Sequence, residues 1–214
     1  MDSEHPSLET LQDIKRMMER SSRFISLSGL SGVSAGFVAL AGAWVAHSWL
    51  VNPAGTGEGP DAGGGGDFLA LKWKFILLAG AVLCLALASS LYFTWSKARR
   101  NKLPVWDHTS RKLLVNLAIP LMAGGLFISG LLYHNNWHFV APSCLIFYGL
   151  SLVNASKYTL SDIRYIGMLD ILLGGVNMYF TGYSLQFWAL GFGVLHIVYG
   201  LIMWWKYDYR GAGQ

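Results

Sequence analysis

The chain reads as an all-α polytopic membrane protein with six transmembrane helices arranged as three helical hairpins. Three observations predict this. Residues are 53% hydrophobic and only 13% charged, with a mean hydropathy of +0.40. Six apolar runs approach or exceed the roughly 20 helical residues that cross a bilayer core. Basic residues fall almost entirely on alternate sides of those runs. A soluble domain carries roughly 25% charged residues, and half that share cannot cover a water-facing surface.

The runs are residues 24–49, 75–95, 113–133, 139–155, 165–183 and 187–205, the fourth being the shortest. They divide the chain into a cytoplasmic N-terminal segment (1–23), a transmembrane domain (24–205) and a cytoplasmic tail (206–214). Trp49, Trp73, Trp95, Tyr133, Trp137, Tyr183, Trp204 and Trp205 stand near run ends, as interfacial aromatics do. The first run follows a charged stretch and is longer than a signal-peptide core of roughly 7–15 residues, so it is expected to remain as an anchor.

Orientation follows from charge. Lys15, Arg16, Arg20, Arg23, Lys97, Arg99, Arg100, Lys102, Arg111, Lys112, Lys157, Arg164, Lys206 and Arg210 flank one side, 14 of the 16 basic residues; only Lys72 and Lys74 flank the other. Positively charged short loops stay inside, which places both termini in the cytoplasm. The membrane also accounts for the pI of about 9.1 without a nucleic-acid partner. The lipid bilayer is the expected partner, with a second copy of the chain as a further one. Cys84 and Cys144 lie inside apolar runs and read as small buried residues rather than a disulfide.

Ahead of the first run, Leu8, Leu11, Ile14, Met17 and Met18 recur at helical spacing behind a possible Ser7 cap. This is either an amphipathic helix on the cytoplasmic face or an extension of the first span. Residues 52–67 are dominated by glycine and proline and read as a flexible outer loop. A weak threefold plan runs through the spans. Glycines mark the middles of the first, third and fifth (Gly36 and Gly42, Gly124 and Gly130, Gly174 and Gly175), and the second, fourth and sixth end in the polar stretches SKARR, SKYTLSDIR and WKYDYR.

Polar residues within the runs are the candidate functional groups. Asp170 is the most expensive, since an aspartate at a helix centre costs roughly 2.5–3.5 kcal/mol to insert. Gly167, Asp170, Gly174, Asn177 and Thr181 share one helical face, which must turn inward because lipid would penalise it. His196 lies near the middle of the sixth span with Ala189, Gly193 and Gly200 on its face. It is a proton relay beside Asp170, a hydrogen-bonded structural residue, or an axial ligand to haem. Pro120 removes a backbone donor and leaves the Asn116 carbonyl in need of another; Asn154 and Lys157 lie at the same inner depth. His134 and His138, in HNNWH, and His47 form a candidate metal set on the outer side, without a local acidic partner.

No nucleophile motif, phosphate loop or dinucleotide fingerprint is present, and the cytoplasmic loops are too short for a catalytic domain. No cofactor is specified. The opening RSSRFISLSGLSGVSAGFVALAGAWVA (residues 20–46) resembles the uncharacterised small six-span membrane proteins of bacteria. That resemblance implies a bacterial inner-membrane location and nothing about activity. The sequence favours non-enzymatic binding of a small ligand or partner protein. The alternatives are a small proton- or ion-coupled transporter or channel, and a haem- or metal-binding redox protein.

Overall fold

A computed structural model describes residues 28–51, 65–100 and 106–209. The segment 1–23, most of the loop 52–67 and the last five residues of the tail lie outside the described residues. Those present are helical and joined by short turns, with no strand among them. The helices are α1 (Gly29–Val51), α2 (Gly65–Arg100), α3 (His108–Tyr133), α4 (Val140–Ala155), α5 (Ile163–Tyr179), α6 (Ser184–Trp188) and α7 (His196–Met203). A π-helical segment, Ala189–Leu195, joins α6 to α7, and a second, Trp204–Tyr209, follows. With the turn before it this forms one continuous rod, Thr181–Tyr207, called here the last span.

Among the described residues, five helices are long and apolar enough to cross a membrane: α1, the Ala70–Arg100 part of α2, α3, Trp137–Ala155 (α4 with its leading turn) and the last span. The sixth helix, α5, is shorter at 17 residues. Their outward faces are hydrocarbon-like. Leu77, Leu83, Leu87 and Leu91 on α2, and Ile119, Met122 and Leu126 on α3, are all exposed. In water such faces would be untenable; in a bilayer every backbone polar group is satisfied within the helix, and apolar side chains face apolar solvent.

Glycine decides which helices touch. α1 lies between α2 and the last span because small residues line both of its flanks. A β-carbon on Gly36 would stand 2.7 Å from the Gly193 carbonyl oxygen, and one on Gly200 would stand 2.7 Å from that of Gly29. On the other flank the Ser34 and Ser89 hydroxyls meet at 3.3 Å, and Ser90 Oγ donates to the Ser31 carbonyl at 3.2 Å. The Trp49 and Phe75 rings meet edge to face where α1 ends.

α5 packs most extensively on α4, and the last span most extensively on α1. A hairpin formed by the fifth and sixth spans is therefore not the chief contact of either. The reason is again local: a β-carbon on Gly149 would stand 2.5 Å from the Gly167 carbonyl oxygen, and one on Gly167 would stand 2.7 Å from that of Gly149. Two helices can approach so closely only where neither carries a side chain. Gly174 repeats the arrangement two turns on, against Pro142 and Ile146.

α3 is attached to α4 along one edge. Asp107 and Ser110 cap it reciprocally: the Ser110 amide donates to Asp107 Oδ1 at 2.7 Å, and the Asp107 amide donates to Ser110 Oγ at 2.8 Å. Its far end stops at Asn135, whose φ of 59° is left-handed, and the Asn136 amide reaches back to the Leu131 carbonyl. Lys72 of α2 bonds the Asn135 side chain and lies over the Trp137 ring, tying α2 to the α3–α4 turn. At the opposite end of the bundle, Asp162 accepts from both Lys206 and Tyr207, closing the last span against the α4–α5 turn. Cys84 is exposed on α2 and Cys144 is half-buried on α4; both are free thiols.

Candidate functional site

The buried face of α5 consists of Ile163, Ile166, Gly167, Asp170, Gly174 and Asn177. Three- and four-residue steps bring these to one side of a regular helix. The glycines let α4 close over that side, and closure shields Asp170 and Asn177 completely: both are 0% exposed. Neither Asp170 carboxylate oxygen has a hydrogen-bond partner among the described residues, nor does the Asn177 amide nitrogen. The Asn177 oxygen lies 3.2 Å from Ser184 Oγ, which donates at 2.7 Å to the Thr181 carbonyl.

The last span meets Asp170 at Gly191, where a β-carbon would stand 3.0 Å from Asp170 Oδ1 and would also press on Leu145. The Gly191 carbonyl is 2.9 Å from His196 Nδ1, and His196 Nε2 is 2.7 Å from the Tyr148 hydroxyl on α4. A carbonyl only accepts, so Nδ1 carries the proton. In the neutral ring Nε2 then accepts from Tyr148. Each donor in this chain is therefore committed: the tyrosine proton to the imidazole, the imidazole proton to the backbone. Asp170 and His196 are close in the bundle but not hydrogen-bonded to each other, because both ring nitrogens are already engaged. The same engagement leaves His196 no nitrogen for haem iron unless one of these bonds breaks.

Rings surround this junction. Tyr148 and Phe192 have centroids 5.1 Å apart, Tyr148 and His196 5.3 Å, and Phe192 and His196 6.0 Å; Trp188 continues the row at 5.1 Å from Phe192. Tyr148 connects to Asp170 through His196 and Gly191. The outcome is a carboxylate without a donor among the described residues, closed over by Leu145 and Gly191, with a row of rings starting at the neighbouring Phe192.

No family model, curated protein or solved structure matches the chain. The site therefore has to be read from its own chemistry.

The remaining candidates are distributed elsewhere. Asn154 Nδ2 donates to the Asn116 carbonyl at 2.8 Å, supplying the donor that Pro120 takes away, and approaches Asn116 Oδ1 at 3.3 Å. Asn116 Nδ2 in turn donates to the Lys112 carbonyl. This pair fixes the α3–α4 seam, and no described hydrogen bond connects it to Asp170. His47, His134 and His138 are exposed, and no group of three or more His, Cys, Asp or Glu residues suited to a metal occurs among the described residues.

Two residues of the site escape a reading by helical periodicity. Gly191 lies five positions before His196, off the three- and four-residue steps that define an α-helical face. It joins His196 because the intervening segment is π-helical, with i to i+5 bonding. Tyr148 has an apolar body in an apolar run. The one available signal was that a phenol hydroxyl within a span needs a partner.

Proposed function

We propose that this chain is a six-span integral membrane protein of the bacterial inner membrane that binds a small ligand, without transforming it, through Asp170. The carrying observation is the carboxylate with 0% exposure and two unpartnered oxygens. An ionised carboxylate in that setting is costly unless a cation or donor meets it. Natural membrane proteins keep such groups where they bind or carry something. A purely structural carboxylate would be expected to take one of the donors nearby; here the Tyr148 and His196 protons are committed to other acceptors.

Six spans with cytoplasmic termini are supported by the placement of 14 of 16 basic residues on one side. The 17 residues of α5 also rise about 26 Å, close to the hydrocarbon thickness. Three hairpins in sequence remain the simplest insertion order, although α5 finds its broadest contact on α4. The layout resemblance to small six-span bacterial proteins supports the inner-membrane location.

The test is a thermal-stability screen of the detergent-purified protein against small organic cations, anions and neutral solutes. At least one class should raise the melting temperature of the wild type and leave Asp170→Asn, purified as a monodisperse protein, unaffected. Equal responses from both proteins to every class would remove Asp170 from any binding role.

A second reading, proton- or ion-coupled transport through the same carboxylate, is favoured by the π-helical segment against Asp170, since such segments are frequent at functional sites. Flux in proteoliposomes, abolished by Asp170→Asn, separates transport from binding alone.

A further inference from the structure

We propose that the ligand held at Asp170 is an organic ammonium cation, recognised by the carboxylate and by the aromatic faces of Tyr148 and Phe192. This rests on the reading of Asp170 as the ligand anchor and adds the chemical class of what it binds.

Three observations select that class. First, the two donors nearest the junction with the last span are committed elsewhere, and the free donor on the same face, the Asn177 amide, lies two turns further along α5. The Tyr148 hydroxyl serves His196, His196 serves the Gly191 carbonyl, and both carboxylate oxygens are unpartnered. A ligand that reaches the carboxylate must therefore bring a donor, and a positively charged donor gains most from an ionised carboxylate in a low-dielectric setting. An anion would be repelled by the carboxylate.

Second, a row of aromatic rings begins at the residue next to the one that abuts the carboxylate. Phe192 follows Gly191, the residue that abuts Asp170 Oδ1, and its ring is 5.1 Å from Tyr148 and 5.1 Å from Trp188. Aromatic faces attract ammonium groups through the ring quadrupole, most strongly where water is excluded. A hydrated metal ion gains less from such a row, because it binds best to several oxygen ligands. Asp170 is the sole acidic side chain at this junction, and no cluster of metal-binding side chains accompanies it among the described residues.

Third, Gly191 sets the approach. It places no atom between the last span and Asp170 Oδ1, where a β-carbon would stand at 3.0 Å. The same residue orients His196 through its carbonyl. Glycine thus keeps the seam between α5 and the last span free of a side chain at the carboxylate. The seam is closed in this structure, so a ligand reaches the carboxylate when the last span moves away from α5.

The experiment measures binding of ethylammonium and tetramethylammonium to the purified full chain by thermal shift and calorimetry. Sodium, potassium, acetate and ethanol serve as comparison probes, with Asp170→Asn, Phe192→Leu and Gly191→Ala as variants. The expected result is binding of one or both ammonium ions, no binding of acetate or ethanol, and alkali cations weaker by at least tenfold. Asp170→Asn should abolish ammonium binding. Phe192→Leu, which keeps the position apolar but removes the ring, should weaken it by about three- to thirtyfold. Gly191→Ala should weaken it while leaving the melting temperature of the unliganded protein close to that of Phe192→Leu. Asp170-dependent binding of acetate or ethanol in place of ammonium would overturn the inference and leave Asp170 as a ligand anchor. Binding of no organic probe by the wild type would overturn both. Ammonium binding indifferent to Phe192→Leu would overturn the aromatic half of the recognition.

Discussion

Gly174 and Gly175 are neighbours on α5, yet alanine at the two positions should have opposite effects. A β-carbon on Gly174 would stand 2.7 Å from Ile146 Cγ1, 2.8 Å from the Pro142 carbonyl oxygen and 3.0 Å from the Ile146 amide nitrogen, whereas one on Gly175 meets nothing within 4 Å. Ordinary contact begins at 3.4 Å, so α4 must retreat by 3.4 − 2.8 = 0.6 Å from Gly174→Ala. Backbone atoms cannot rotate away as a side-chain tip can. Overpacking of that kind costs about 1–3 kcal/mol. Gly175→Ala adds no contact and removes backbone freedom, and should stabilise by up to about 1 kcal/mol. The two variants should therefore differ by about 1–4 kcal/mol in reversible unfolding of the micelle-held protein on titration with a denaturing detergent. If they unfold within about 0.5 kcal/mol of each other, the α4–α5 seam is not the close glycine contact described here.

Asn154→Ala should lower stability by about 0.6–1.7 kcal/mol, the range for interhelical hydrogen bonds in membranes, and Asn154→Asp should not restore it, since an ionised carboxylate cannot donate to the Asn116 carbonyl; the same unfolding titration reads both. Tyr148→Phe removes the hydroxyl that holds His196 Nε2 and should cost about 1 kcal/mol. It should also broaden the His196 ring resonances in NMR of selectively labelled protein; an unchanged spectrum would deny the bond. Asp162→Asn should change stability by less than about 1 kcal/mol, because the Lys206 side chain is 51% exposed. In a cysteine-free background, Gly64→Cys should react with an impermeant thiol reagent from outside and Lys102→Cys only after permeabilisation; the reverse pattern would invert the topology.

The sequence revealed most where helices are regular. On α5 the steps from Gly167 to Asn177 follow α-helical spacing, so the inward turn of Asp170 could be derived from the cost of exposing it. Pro120 similarly announces a missing donor, and Asn154 at matching depth supplies it. Partner choice was less legible. Nothing in the spacing says that Gly149 faces Gly167 in preference to a residue of the last span, because that choice depends on how two surfaces fit. The expected contact between Asp170 and His196 rests on matching depth and on the short turn at Thr181–Ser184 that makes their spans antiparallel neighbours. The imidazole bonds Tyr148 and Gly191 instead, and Gly191 enters only through the i to i+5 pitch of the π-helical segment.

The mutual approach of Gly149 and Gly167 has a mechanical consequence. Two rods in backbone contact along two further turns behave as a single beam, and a beam does not open along its own weld. If the protein changes shape to admit a ligand to Asp170, α4 and α5 travel as one body and the last span moves against them. The joint that gives is the one at Gly191, where the rod is wound at a different pitch and where α5 and the last span share their narrower contact. α1, fastened to the last span through Gly29, Gly36, Gly193 and Gly200, follows that motion and takes α2 with it.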